Sequence, residues 1–215
     1  MPRLKNTYKN EIAINLMNKL SLRLGEGAWN LYAKRQTDPK FKEFSASIHK
    51  RDNNHCYFCG FSSNIHMMVV NLDHDYTNNK MSNLVTACPF CQQCLFLEAC
   101  GKLQPGGGTM VYLPDISQEQ LNASCHVLYA SIVNGSTHAR VADTYLQSLK
   151  LRAPYVEKAF GKNMSIPSFM GQMIIDTPGI DRQEVEQNML QKVRVLPSLE
   201  KFEDAIVGWA KSAVS

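Results

Sequence analysis

The sequence predicts an α+β chain, mainly α, and three observations carry that expectation. Two C-x2-C pairs, Cys56/Cys59 and Cys88/Cys91, bracket a short apolar run, which marks a small cysteine module with a strand inside it. Beyond Gln104-Pro105-Gly106-Gly107-Gly108, apolar residues recur at helical spacing almost to the end. A length of 215 residues with 44% apolar and 20% charged content is enough to bury a core and excludes disorder as the main state. The expected units are a basic extension over 1–50 packed on the module, the module itself over 51–104, and a helical region over 105–215 that forms one compact unit with it.

In the first unit Ile12, Leu16 and Leu20 fit a helix, while Leu20, Leu22 and Leu24 alternate before Gly25 and Gly27; a short helix followed by extended chain is expected up to residue 37. Asp38-Pro39 reads as a cap with proline at the first helical position, and Phe41, Phe44 and Ile48 continue that helix to Arg51-Asp52. In the module, Ile65 to Val70 predicts a buried strand ending at Leu72-Asp73-His74-Asp75. Asn78 to Asn83 is rich in turn formers, and Pro89 opens a helix through Phe90, Leu95 and Leu97.

In the last unit Ser117 and Gln120 make a capping box for a helix striped by Leu121, Cys125, Leu128 and Ile132 and ending at Asn134-Gly135. Val141, Tyr145 and Leu149 mark a second helix. Asp181 with Glu184 opens a third before Pro197, and Ser198 caps a fourth through Leu199, Phe202, Ile206 and Trp209. Met173 to Gly179 imitates the strand and magnesium-sensing turn of a GTPase, but no G-x4-G-K-[ST] precedes it to cradle phosphates, so Thr177-Pro178-Gly179 is read as a turn between helices.

No apolar run exceeds four residues, so no membrane span is expected. Ile12 to Met17 is interrupted by Asn15 with no cleavage site after it, which argues against a secretory signal and for the cytoplasm. The net charge of +4 is uneven: residues 1–55 hold eleven Lys/Arg against five Asp/Glu, and 56–99 hold one against three. A nucleic-acid surface would have to come from the amino-terminal third, and a solvated basic face is the plainer reading.

Seven cysteines without a signal point to a reduced compartment and metal spacing. Two residues between ligands let a tight turn aim both sulfurs at one ion, and two such turns complete tetrahedral zinc with no open position. Cys56, Cys59, Cys88 and Cys91 are therefore expected to hold one structural Zn2+. Cys94 could replace Cys88 or Cys91, but on a helix begun at Pro89 it turns away, and it is read as core. His55, His66, His126 and His138 have no partner at ligand spacing, and His49 lies on the helix that carries Phe44 and Ile48; all are read as structural or surface residues.

Arg51-Asp52, Cys56-x2-Cys59-Gly60, Leu72-Asp73-His74, Asn83-Leu84 and Cys88-x2-Cys91 together resemble the zinc-stabilised HNH nuclease module. The resemblance implies a ββα-metal core, with His74 at the general base, Asp73 at a position often used as a metal ligand, and Asn83 at the central asparagine. The last metal-binding histidine is replaced by Gln92, a weak ligand for a divalent cation, so the resemblance is to an HNH scaffold without its catalytic metal and without enzyme activity. His74 then reads as a hydrogen-bonded residue at a strand end and Asn83 as a loop brace.

The whole chain is similar to a non-enzymatic subunit family of the coupling complex in the Dot/Icm type IVB secretion system, with residues 51–91 as the specific part. That resemblance implies a place on the cytoplasmic face of the bacterial inner membrane, binding the carboxy-terminal tail of the coupling ATPase DotL alongside DotM, IcmS, IcmW and LvgA. The alternatives are a metal-dependent HNH endonuclease and a DNA-binding protein that does not cut.

Overall fold

The computed structural model describes residues 20–25, 27–102 and 105–212, so the helix expected from Ile12 lies outside them apart from Leu20. Leu20 to Leu24 is extended chain, as expected. Helix α1 (Ala28–Thr37) was not expected: its mean apolarity is low, and its buried residues are only Tyr32 and Arg35. Tyr32 still anchors it, through ring contacts to Trp29, Tyr76 and Phe96. Asp38 then caps α2 (Pro39–Arg51), its carboxylate accepting the Lys40 N–H at 2.9 Å with Pro39 in the first turn.

The module holds β1 (Met68–Asn71) and β2 (Leu84–Ala87), antiparallel with Met68 opposite Ala87 and Asn71 opposite Leu84. The strand starts three residues later than the apolar run predicts. Leu72 and His74 fall in the loop beyond it. Cys88 caps α3 (Pro89–Gln92), which is a single turn; the expected long helix breaks into 3-10 turns at Gln93–Leu95 and Leu97–Ala99. α2 covers the sheet through Phe41, Ile48, Val69 and Leu84, a small core of its own.

The glycine break leads into a strand. β3 (Gly108–Tyr112) pairs antiparallel with β4 (Val193–Pro197), so the second half, where helices are expected to dominate, also carries a sheet closed by segments some 80 residues apart. Long-range pairing of this kind leaves no local signature. Between the strands run α4 (Gln118–Val133), α5 (Ala139–Lys150), α6 (Ala153–Phe160) and α7 (Pro167–Asp176). α8 (Arg182–Glu184) follows, extended by a π turn through Met189. Met173 to Ile175 is helical, which removes the GTPase-like strand, and Thr177 to Gly179 is the turn out of α7.

The Ser117–Gln120 capping box forms in full. On α5 the buried stripe is Ala142, Leu146 and Leu149, whereas Val141 and Tyr145, which share a helical spacing with Leu149, point outward. α9 (Glu203–Ser212) begins after a 3-10 turn in which the Ser198 hydroxyl accepts the Lys201 N–H. α7 packs on the Leu97–Ala99 turn at Gly171, where any Cβ would collide with the Glu98 backbone. One continuous core joins the module cysteines and Phe90 to Leu121, Cys125 and Tyr129 of α4 and to Phe202 and Trp209. No helix among the described residues is long and apolar enough to cross a membrane.

Candidate metal centre

Two tight turns present the four cysteines. In the first, Gly60 at φ 75° lets the chain reverse so that its N–H reaches the Cys56 carbonyl at 3.0 Å, while the Cys56 N–H reaches the Phe61 carbonyl at 2.7 Å. The Tyr57 N–H donates to the Thr86 carbonyl at 2.8 Å, which pins this turn to β2. In the second, Cys88 ends β2 and Pro89 starts α3, so the Cys91 and Gln92 N–H groups both bond the Cys88 carbonyl, at 3.0 and 2.9 Å.

The Cys56, Cys59, Cys88 and Cys91 sulfurs all lie within 4.8 Å of one another, and Cys59 and Cys88 are 3.6 Å apart. A tetrahedral ion with metal–sulfur bonds of about 2.3 Å sets its sulfurs about 3.8 Å apart, so the donor set fits such an ion. The electrostatics agree. Burial pushes the Cys88 and Cys91 thiols up, and burial also opposes the Cys56 thiolate, but hydrogen bonds from Cys59, Cys88 and Cys91 outweigh it and hold Cys56 down. Cys56 is thus held toward the thiolate form that a divalent cation requires, and binding would release the protons of the others.

The remaining cysteines stand apart. Cys94 donates to the Phe90 carbonyl at 3.2 Å, consistent with its reading as core. Burial raises Cys100 and Cys125 to about 12, which disfavours their thiolates.

Arg51 and Asp52 brace the cradle. Arg51 donates to the Met81 and Leu84 carbonyls and to both oxygens of Asp52, and Asp52 Oδ2 also accepts the Thr86 N–H at 2.8 Å. Burial alone would raise the Asp52 carboxyl, but these bonds from Arg51 and Thr86 keep it below its usual value.

Of the positions that the sequence likens to an HNH module, Asp73 and Asn83 are joined directly, and Asn83 also donates to the Asn78 carbonyl at 2.9 Å. His74 has φ 61°, and its Nδ1 is buried without a hydrogen-bond partner. Burial, with Arg23 adding to it and Asp73 opposing, lowers its pKa to about 4. Gln92 is buried on α3 and borders a recess with Trp29, Gln93 and Phe96.

Sequence spacing leaves His126 without a partner and reads it as a structural or surface residue, and the structure corrects that. Its Nε2 lies 3.3 Å from the Cys88 sulfur, and its ring stacks on Phe61 at 3.7 Å and on Phe90 at 4.3 Å. Burial lowers its pKa to about 3, with the nearby Cys56 opposing. Asn122, one turn earlier on α4, places Nδ2 3.3 Å from the Cys91 sulfur. The available signal was their i, i+4 spacing beside Leu121 and Cys125, but nothing local ties α4 to cysteines some thirty residues upstream.

No protein-family model matches the chain. It is 43% identical over 196 residues to the type 4 apparatus protein DotN of Legionella pneumophila, covering 91% of each chain. With identity at that level over nearly its full length, and with the cysteine cluster inside the matched length, the chain belongs to the DotN family.

Proposed function

We propose that this chain is a non-catalytic subunit of a type IVB secretion coupling complex, held in shape by one structural Zn2+ on Cys56, Cys59, Cys88 and Cys91. The observation that carries the reading is the 43% identity to a type 4 apparatus protein over 91% of both chains. The four sulfurs enclose the ion without an open position, so zinc here organises the fold and has no substrate to meet. Around it the proposed units are the extension 1–50, the HNH-like module 51–104 and the helical region 105–215.

The HNH-like positions support binding rather than cutting. Asp73 and Asn83 are engaged with each other, and Gln92 replaces the histidine that would hold a catalytic cation. The proposed partner is the carboxy-terminal tail of the coupling ATPase DotL, in a complex with DotM, IcmS, IcmW and LvgA at the cytoplasmic face of the inner membrane. Val141 and Tyr145 on α5, then Leu151 and Tyr155, are exposed i, i+4 pairs that offer apolar contact to a segment that orders on binding. The test is titration of the full chain with the DotL tail across a salt series. Apolar association survives raised ionic strength, whereas affinity for duplex DNA that falls steeply with salt would favour the nucleic-acid reading instead.

A further inference from the structure

The chain reaches the metal centre from both halves. Besides the four cysteines, two polar side chains of α4 touch its sulfurs, and each is oriented by a separate contact. Gln118 uses its amide to grip β4, donating to the Val195 carbonyl and accepting the Val195 N–H, both at 2.8 Å. Its Nε2 also donates to Asn122 Oδ1 at 2.9 Å, which fixes the Asn122 amide with its NH2 toward Cys91. The His126 ring is held by its stack against Phe61 and Phe90, and its Nδ1 is buried without a hydrogen-bond partner. With no acceptor at Nδ1, the ring N–H that finds a partner is the one on Nε2, facing the Cys88 sulfur.

We propose that His126 and Asn122 are positioning residues of the metal centre. They donate to the Cys88 and Cys91 thiolates, set how firmly the ion is held, and make α4 part of the centre. The inference rests on the zinc reading above. Four thiolates around a divalent cation leave a buried net charge of −2, which is costly unless N–H groups share it. Cys88 and Cys91 are the fully buried members and are the ones that receive these donors. Metal loss should therefore loosen α4 and, through Gln118, β4, as well as the cysteine turns.

The experiment uses the full chain loaded with Zn2+ or Co2+. His126→Phe keeps an aromatic ring between Phe61 and Phe90 and deletes the N–H; His126→Gln keeps an N–H near Nε2; Asn122→Ala removes the second donor. Expected results are one metal per chain throughout, with release to a chelator faster by about tenfold or more in His126→Phe and Asn122→Ala, and within about threefold of the parent in His126→Gln. In the cobalt form, the thiolate-to-metal charge-transfer band should move to lower energy in His126→Phe and Asn122→Ala, because removing a donor raises the sulfur lone pair. Lost packing alone would leave that band in place.

Folded variants with parental release and an unmoved band would overturn the inference while leaving the zinc reading intact. A cobalt spectrum of three sulfurs and one nitrogen in the parent would also overturn it, by making His126 a ligand. Absence of metal from the parent would overturn the zinc reading itself.

Discussion

Asn83 and Asp73 are locked by a reciprocal pair of hydrogen bonds: Asn83 Nδ2 donates to the Asp73 carboxylate at 2.7 Å, and Asn83 Oδ1 accepts the Asp73 N–H at 3.0 Å. Asn78 Nδ2 donates to the same carboxylate at 2.6 Å and the Asp75 N–H at 3.0 Å, so residues 72–83 form a loop tied across its base.

Asn83→Ala should free that loop. The bonds are solvent-exposed, so the expected cost is about 1 kcal/mol, read as a lowered urea midpoint with unchanged m. Slight burial pushes the Asp73 carboxyl up, but the bonds from Asn83 and Asn78 outweigh it and hold it below its usual range. Their contribution is present above the ordinary aspartate pKa and fades as pH falls through the lowered value. The parent should thus lose its advantage over Asn83→Ala in strong acid.

His74 gives a second pH dependence. Its folded pKa of about 4 lies below an unfolded value of about 6.5, so the unfolded chain binds the proton first and stability falls as pH drops from 6.5 through 4. The loss is at most about 3 kcal/mol. His74→Asn, which tolerates the left-handed φ, should flatten the dependence in that window, and NMR titration should show the His74 ring neutral at pH 6.

Metal removal should cost more than either change. Chelation, or Cys88→Ser, is expected to unfold the cysteine turns, with loss of several kcal/mol or of folding altogether, because the binding energy of a structural ion is folding energy. Metal analysis should give one zinc per chain in the parent and a clear reduction in Cys88→Ser.

On the proposed HNH likeness, which sets Gln92 at the position of a metal-binding histidine, plasmid nicking should be absent with magnesium, manganese or nickel. His74→Ala should change nothing in that assay. Nicking in the parent that vanishes in a folded His74→Ala would restore the enzyme reading.

Local signals were legible where the chemistry is local. The capping box at Ser117, the Asp38-Pro39 start and the grouping of Cys56, Cys59, Cys88 and Cys91 all follow from spacing within a few residues of each cap or turn. The β3–β4 pair was not legible, because Tyr112 meets Val193 across a long intervening chain and its strand follows a glycine run that reads as a break. α1 escaped notice because one tyrosine and an arginine, rather than an apolar stripe, anchor it. The contact of His126 with Cys88 was hidden for the same reason as the sheet: it joins distant segments. On α5 the error was of face, since Val141, Tyr145 and Leu149 share a helical spacing but only Leu149 turns inward.

The central claim, a non-catalytic member of a secretion apparatus, is tested most directly by affinity capture of the tagged chain from its native cells, with the bound material identified after a high-salt wash. The expected result is retention of secretion-system proteins, the coupling ATPase among them, with the captured chain carrying its zinc. Recovery of nucleic acid alone, or of no secretion-system protein even at low salt, would contradict it.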